Sequence, residues 1–548
     1  MKKYIGIKTG ISHSNLTSMD MEKKETYTLL EERLSRNKNI GGFPATSAKW
    51  LILKNKNLIK LPNKRFATNS CTNHPVSFEK KSYAYSALKF MKSLSCLENS
   101  EMHYPSHHYA HCMSAIGQSP FQDCYILVCD GVGSKGVDLT EKLHNIPDNE
   151  NETLSLYHYT GELELIYKES SKHAVIVKNG LEYPLNEGIG SLYMNAANYI
   201  FGDWQNSGKV MGLSTFGKKP YHTEMTDFEL NNHLINLAPN KSLGQVKFNN
   251  LKQEDRDHLA DVALEVQVRL ERKITVLLKK YISSSDKLIF TGGVALNCIL
   301  NTKLGEKYTL WNPPNPGDFG ISIGCATSLA IQEHSLSDVK ECLAASPFLG
   351  RDFKISDIRK VFSKEKIEET NLVQIAQLLN DGEIIAWVQG RSEIGPRALG
   401  NRSLLAAPHL SKQKKYLNEK VKFREAFRPY GASILKEKVQ SYFDVTKGFE
   451  SPFMNKIALL KESKSLEDIS HIDKTCRLQT VDKIKQPIFY NLIKEFEKIS
   501  SYPILLNTSL NIMGCPIVDD LDDLLKFFNK SCIKYIYVEN FLITKSQE

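Results

Sequence analysis

The 548-residue sequence predicts a mixed α/β protein of at least two domains, and three observations carry that expectation. The length exceeds what one hydrophobic core organises. Short apolar runs that end in turn residues alternate with long stretches of helical periodicity. A break holding Pro and Gly, AASPFLGR at 344–351, separates a first region (1–345) from a second (352–548).

Residues 4–8 (YIGIK) read as the opening strand. The Lys- and Asn-rich stretch 54–81 lacks apolar periodicity and is expected as an exposed excursion. Residues 125–129 (YILVC) form a short apolar strand that ends at the turn pair Asp130-Gly131. Residues 154–159 and 163–167 flank Thr160-Gly161-Glu162 as a β-hairpin. From Leu259 onward, Val262, Ala263, Val266, Leu270, Ile274, Leu277, Leu278 and Tyr281 recur at helical spacing. That helix runs into a strand at 288–290 and then TGGVALN at 291–297. A strand, a double glycine and a helix start place backbone amides where a phosphate or ribose can sit. The same glycines also serve as an ordinary turn, and both readings stay open. In the second region a helix over 371–380 shows Leu372, Ile375, Ala376 and Leu379 on one face and stops at Gly382. A strand at 384–388 precedes GRSEIGPRALGNRSLLAAP (390–408), and a strand at 504–506 leads into Asn507-Thr508-Ser509. The sequence holds no fixed-period repeat and no low-complexity tract.

Composition narrows the function. With 71 basic and 62 acidic residues the net charge of +9 is modest for this length; it suits anionic small molecules. No recognition helix, zinc finger or aromatic RNA-binding motif accompanies it, so nucleic acid is not the expected partner. No apolar run approaches the ~20 residues of a membrane helix. The start, MKKYIGIKTG, lacks an apolar h-region and is not expected to be a secretory signal. The 11 cysteines form no CxxC pair, which points to a reducing compartment, the cytoplasm.

Two stretches carry chemistry. Arg391, Arg397 and Arg402 alternate with Gly, Pro, Ala and Leu, and guanidinium forks on constrained turns grip phosphate or carboxylate oxygens. In SHHYAHCMSA (106–115), His107 and His111 share one face of a helix, the spacing that lets two imidazoles meet one metal; a structural pair has the same spacing. His108 points roughly a hundred degrees away and is the poorer ligand. Carboxylates must complete a metal site, and Asp130 and Asp318 are the best placed by residue type and turn context. Two His with Asp would suit iron(II), manganese or zinc.

Together these pieces resemble the O-carbamoyltransferases of the NodU/CmcH type. The similarity covers nearly the whole chain: GISHSNL, EERLSRNKNIGGFP, HHYAHCMSA, CDGVG, GKVMGLSTFGK, GGVALNC, PGDFGISIG, GRSEIGPRALGNRS, VKFREAFRPY and LLNTSLN follow in the family's order. The resemblance implies an N-terminal actin-like (ASKHA) domain and a C-terminal YrdC-like domain. It implies formation of carbamoyl adenylate from carbamoyl phosphate and ATP, with Mg2+ accompanying ATP. The carbamoyl group would then pass to a hydroxyl of a small-molecule acceptor, sugar-like or a natural product, beside a divalent metal expected as Fe(II). By motif position, the resemblance implies His107, His111, Asp130 and Asp318 as metal ligands and His13 as base. It implies Lys209, Gly292, Gly293 and Asn297 around the adenylate. Arg397, Arg402, Arg428, Arg477, Asn507 and Ser509 would surround carbamoyl phosphate and ATP. Three places depart from the family pattern: Ser14-Asn15 after His13, Ile394 before GPRALG, and Met513 and Cys515. The divergence is expected to fall on acceptor recognition. Competing expectations are a threonylcarbamoyl-adenylate-dependent tRNA-modifying enzyme and a non-catalytic nucleotide-binding module; both domains in this order, with GPRALGNRS, favour the carbamoyltransferase.

Overall fold

A computed structural model describes residues 3–9, 13–38, 44–54, 65–69, 101–141, 146–178, 181–237, 250–425, 427–461 and 466–546. The chain forms two compact units, one of Met1–Ser35 and Asn39–Ser346, the other of Arg36–Lys38 and Pro347–Glu548.

The first unit holds two five-stranded sheets of one topology. In one, β1 (Lys3–Lys8), β2 (Asn15–Asp20) and β3 (Glu25–Leu30) form an antiparallel meander, and β4 (Arg65–Asn69) and β5 (Glu101–His103) add in parallel beyond β1, giving the order β3-β2-β1-β4-β5. In the other, β6 (Cys124–Cys129), β7 (Glu150–Tyr159) and β8 (Leu163–Lys172) form the meander. There β11 (Lys287–Thr291) and β12 (Thr309–Trp311) are the parallel additions, giving the order β12-β11-β6-β7-β8. A small hairpin, β9 (Ala174–Lys178) and β10 (Leu181–Leu185), stands apart. This duplication is the actin-like architecture. It repeats topology without repeating sequence, because a meander plus two crossovers needs only apolar strands and spacing. One expectation is corrected. The stretch 54–81, read as an exposed excursion, contains β4, and Ala67 is buried against its neighbours; the rest of that stretch beyond Lys54 lies outside the described residues.

Two helices, His107–Gln118 and Ile321–Ala330, pack against each other, and Ile321–Ala330 also packs against β1. Their approach is limited by glycine. A Cβ on Gly6 would lie 1.8 Å from Ser322 O, and one on Gly324 would lie 1.8 Å from Ala110 O. The long helix Gln253–Tyr281 spans the apolar series read from Leu259 and begins six residues earlier.

In the second unit a ten-stranded mixed sheet runs β13-β22-β21-β14-β15-β20-β16-β19-β18-β17. These strands are β13 (Lys366–Glu369), β14 (Ile385–Val388), β15 (Arg402–Ala406), β16 (Gly431–Leu435), β17 (Phe443–Asp444), β18 (Lys456–Leu460), β19 (Thr475–Val481), β20 (Ile504–Ser509), β21 (Tyr535–Val538) and β22 (Phe541–Thr544). Helices Leu372–Asn380 and Pro487–Ser500 cover one face over Trp387, Leu405, Leu435, Val481 and Leu505. Asn507 to Ser509, expected after the strand, lie within β20. Their side chains therefore alternate between faces instead of fanning out as a loop.

Gly324→Ala is expected to destabilise the first unit by about 3 kcal/mol, since backbone must move to admit the methyl. A urea midpoint unchanged from the wild type would contradict this packing.

Candidate metal centre and anion site

The centre of the first unit follows from the glycine-limited approach. The His107–Gln118 helix supplies His107 and His111, the end of β6 supplies Asp130, and the turn before Ile321–Ala330 supplies Asp318. One ligand atom from each of the four lies within 4.8 Å of all the others. His111 Nε2 is 3.1 Å from Asp130 Oδ2 and 3.7 Å from Asp318 Oδ1, and His107 Nε2 is 3.5 Å and 3.6 Å from the same atoms.

Backbone and buried side chains fix each ligand. Ser106 N donates to Thr140 Oγ1 at 2.7 Å, His107 N to Ser134 Oγ at 2.9 Å, and His108 N to Glu152 Oε1 at 2.9 Å, so the free amides of the helix start are met by side chains from elsewhere. Glu152 is in turn paired with buried Lys168 at 2.5 Å. The His108 ring lies outside the cluster, 2.7 Å from Ser155 Oγ, and burial holds its basicity well below the ordinary value. Asp130 accepts from Gly131 N at 2.7 Å and from Gly293 N at 3.1 Å. A Cβ on Gly293 would stand 2.9 Å from Asp130 Oδ1, and Gly292 has φ +90° with its missing Cβ 2.3 Å from Cys129 O. The double glycine is therefore a turn that secures a carboxylate of the centre.

Two residues that sequence reasoning missed complete it. Lys8, fully buried at the end of β1, lies 3.0 Å from Asp318 Oδ2. Asn15 Nδ2 donates to Asp318 O at 3.0 Å and to His13 O at 2.6 Å, and Asn15 Oδ1 accepts from Ser322 N at 3.2 Å. The departure from the family pattern at Asn15 thus ties His13 to the Asp318 turn. His13 has a left-handed backbone, φ +54°, and its ring meets Phe319 edge-on at 4.5 Å. The signal for Lys8 was a lysine closing an otherwise apolar strand.

Burial alone would raise the pKa values of both carboxyls. At Asp130 hydrogen bonds from His107 and His111 outweigh it, and at Asp318 the Lys8 charge does so with His111 and His107, leaving both well below the usual range. The two carboxylates and two imidazoles converge on one point, the donor set that a cation would take. His111 Nδ1 is buried with no hydrogen-bond partner among the described residues, and both histidines aim Nε2 at the carboxylates. The mixed N and O donor set fits a divalent first-row metal.

The other first-unit candidates stand as follows. Asn297 is occupied: it caps the helix Cys298–Gly305 by accepting from Leu300 N at 3.0 Å and donates to Gln267 Oε1 at 2.8 Å. Lys209 is half-buried, with Nζ 5.4 Å from the Phe201 ring centroid. Its helix, Ser207–Ser214, meets the start of Cys298–Gly305 where Cys298 N donates to Met211 Sδ at 3.2 Å.

In the second unit the arginine-rich stretch divides by role. Arg391 donates to Gly350 O at 2.9 Å and Leu349 O at 2.6 Å. Arg402, fully buried, donates to the carbonyls of Gln389 (2.9 Å), Gly390 (3.1 Å), Asn401 (2.9 Å) and Asp519 (3.2 Å). Arg402 thereby holds backbone together, because so many inward-facing carbonyls need donors there. Buried Glu393 accepts from Leu399 N at 2.7 Å and folds the turn back. Arg397 alone of the three has no hydrogen-bond or ion-pair partner among the described residues.

Strand register places Arg477, Gly431 and Asn507 in one row across β19, β16 and β20, with Ser509 two residues on along β20. Arg477, Gln479, Ser433, Asn507 and Ser509 therefore share one face, apolar under its helices and polar at this end. Asn507 Nδ2 donates to Ser433 Oγ at 2.9 Å and Ala398 O at 3.3 Å, and Gln479 Nε2 donates to Leu399 O at 2.8 Å, which anchors the turn that carries Arg397. Buried Lys422 donates to Asn511 Oδ1 at 2.6 Å and Ser509 Oγ at 3.3 Å. Burial pushes its pKa well below the ordinary lysine value, and Arg424, Arg428 and Lys38 push the same way. Arg428 pairs with Glu425 at 3.5 Å, and Arg424 lies 3.7 Å from the Tyr430 ring centroid. Cations so gathered, with few carboxylates among them, suit an anion. Lys422, Arg424 and Asn511 were missed although they sit inside or beside quoted motifs, because lysine and asparagine are common on solvated surfaces.

The family description "Carbamoyltransferase N-terminus" matches residues 61–327 and "Carbamoyltransferase C-terminus" matches 376–545. Nodulation protein NolNO of Sinorhizobium fredii is 30% identical over 471 residues, 82% of this chain and 65% of that protein. The 3'-hydroxymethylcephem-O-carbamoyltransferase of Streptomyces clavuligerus is 27% identical over 389 residues, 67% of this chain and 71% of its own. Among solved structures, the activator of 2-hydroxyisocaproyl-CoA dehydratase from Clostridium difficile covers 64% of this chain and 99% of its own at 10% identity and a TM-score of 0.33, too distant to carry an argument.

His111→Ala and Asp130→Asn are each expected to abolish stoichiometric divalent-metal binding, measured by elemental analysis after dialysis; retention in both would remove the metal centre. Arg402→Met is expected to destabilise the second unit by about 3 kcal/mol through unsatisfied carbonyls, whereas Arg397→Ala leaves thermal unfolding unchanged. Equal melting curves for the two variants would contradict this division of roles.

Proposed function

The chain belongs to the carbamoyltransferase family and is a transferase enzyme, and from that premise we propose that it is an O-carbamoyltransferase that activates its donor as carbamoyl adenylate. The observation that carries the reading is the two-histidine, two-aspartate cluster tied through Asn15 to His13.

Carbamate is a poor electrophile because its nitrogen donates into the carbonyl, so activation as a mixed anhydride lowers the barrier to transfer. In a YrdC-like second unit, water cleaves carbamoyl phosphate to carbamate and orthophosphate, a carbamate oxygen then attacks the α-phosphorus of ATP to form carbamoyl adenylate as pyrophosphate leaves, and Arg397, Arg428, Arg477 and Lys422 neutralise the phosphates as charge develops. In the first unit His13 takes the proton of an acceptor hydroxyl as its oxygen attacks the carbamoyl carbon, and the bond from that carbon to the adenylate phosphate oxygen breaks with AMP as the leaving group. His107, His111, Asp130 and Asp318 would hold a divalent ion, iron(II) in this proposal, which would supply Lewis acidity at the acyl group. The acceptor is a small molecule, a reading supported by the relative that acts on a hydroxymethylcephem. Mg2+ accompanies ATP, and the cytoplasm is the proposed location.

Pyrophosphate release from ATP is expected to require carbamoyl phosphate and to fall by about a hundredfold or more in Arg397→Ala. Release that needs threonine and bicarbonate instead would reassign the donor, and no release from folded, metal-loaded protein would sink the adenylate-forming reading.

A further inference from the structure

Two glutamines converge on one carbonyl beside Arg397. Gln479, fully buried on β19, donates from Nε2 to Leu399 O at 2.8 Å, and Gln486 donates from its own Nε2 to the same oxygen at 2.7 Å. A bond from Gln479 Nε2 to Gln486 Oε1 at 3.2 Å closes the pair. Gln479 Oε1 accepts from Ser433 Oγ at 2.7 Å and from Asn507 Nδ2 at 3.1 Å, and Asn507 Nδ2 also reaches Ala398 O at 3.3 Å. One ring of hydrogen bonds thus joins Asn507 to the turn that carries Arg397. Gln486 directly precedes the helix Pro487–Ser500, whose first turn reinforces the contact: a Cβ on Gly400 would stand 2.5 Å from Phe489 Cδ1. Gln486 is itself held, its N donating to Asp482 O at 3.0 Å.

We propose that Gln486 is a positioning residue for donor activation, which with Gln479 fixes the Leu399 carbonyl and so sets where the Arg397 guanidinium stands. The inference rests on the reading of Arg397 as a phosphate-neutralising side chain given above. The turn needs such a clamp. Gly395 and Gly400, at φ +104° and +106°, stand on either side of Arg397 and give the backbone there two places to swing. Residues 389–401 lie between the end of β14 and the start of β15, so no strand ladder fixes them. Side chains do that work instead: Glu393 holds the Leu399 amide and the two glutamines hold its carbonyl. A carbonyl oxygen has two lone pairs, and Leu399 O gives both to the clamp. Charge neutralisation depends steeply on placement, and a shift of about 1 Å costs up to about a hundredfold in rate. Gln479 lies in the core, whereas Gln486 is half-buried, so its donor can be removed without emptying the interior of the sheet.

The test is a double-mutant cycle on the full chain, read as carbamoyl-phosphate-dependent pyrophosphate release per folded protein. Gln486→Met, which keeps the side-chain length and removes the donor, is expected to lower kcat/KM for carbamoyl phosphate about tenfold. In an Arg397→Ala background the same change is expected to cost less than about twofold, since a residue that acts through Arg397 then has nothing left to position. The same cycle is run on the Kd for orthophosphate where residual turnover is too slow to read. Ile484→Ala, at an exposed position of the same loop, is expected to match the wild type. Gln486→Leu replaces Gln486→Met if the latter does not give the wild-type circular dichroism spectrum. Equal losses in the two backgrounds, or no loss when Arg397 is present, overturn the role of Gln486 and leave the reading of Arg397 standing. A wild type without carbamoyl-phosphate-dependent release, or an Arg397→Ala variant as active as the wild type, overturns that reading and this inference with it.

Discussion

The close stacking of three backbone segments governs the first unit. β1, the Ile321–Ala330 helix and the His107–Gln118 helix approach so tightly that Gly6 and Gly324 leave no room for a methyl group. From that contact the rest follows. The C-terminal end of β1 brings Lys8, the start of one helix brings Asp318, and the first turns of the other bring His107 and His111 to one point. Small residues at such crossings are the usual means of bringing backbones together. Here they also convert three separate elements into a set of ligands held at fixed distances.

Around this point the protein solves an electrostatic problem in layers. The centre collects ionised carboxylates in a desolvated place, and Lys8, the histidines and backbone amides at Gly131 and Gly293 answer them. One layer out, the amides that begin the His107–Gln118 helix are met by Thr140, Ser134 and Glu152, with Glu152 itself paired to Lys168. A buried ion pair of this kind adds little net stability but fixes orientation once formed. The second unit carries the opposite imbalance: Lys422, Arg424, Arg428 and Lys38 crowd together, and the oxygens of Ser509 and Asn511 hold the innermost lysine.

The arginine-rich stretch shows why residue type alone assigns roles poorly. Arg391 and Arg402 look like Arg397 in sequence, yet both spend their donors on backbone carbonyls that no strand ladder satisfies. The turn that isolates Arg397 depends on Glu393 beneath it and on Asn507 and Gln479 from the sheet. A constrained loop must first satisfy its own polar groups, and only the remaining side chain is available to a ligand.

Much of the architecture was legible in the sequence. Apolar runs and turn pairs marked β1, β6, the β7–β8 hairpin and β14, and helical spacing marked Gln253–Tyr281, because these patterns report burial along a single element. The i, i+4 spacing of His107 and His111 was legible for the same reason. β4 was not, since its polar flanks hide a strand that is defined only by pairing with β1. Nor were the occupied amide of Asn297, the structural role of Arg402, or the parts played by Lys8 and Asn15. Each is decided by a partner far along the chain, such as Asp318 for Lys8, and local periodicity carries no information about which distant groups a fold brings within hydrogen-bond reach. The sequence by itself determined the elements and the chemical types available to the site; tertiary structure decided which of those side chains were already committed to holding the fold and which were left to act.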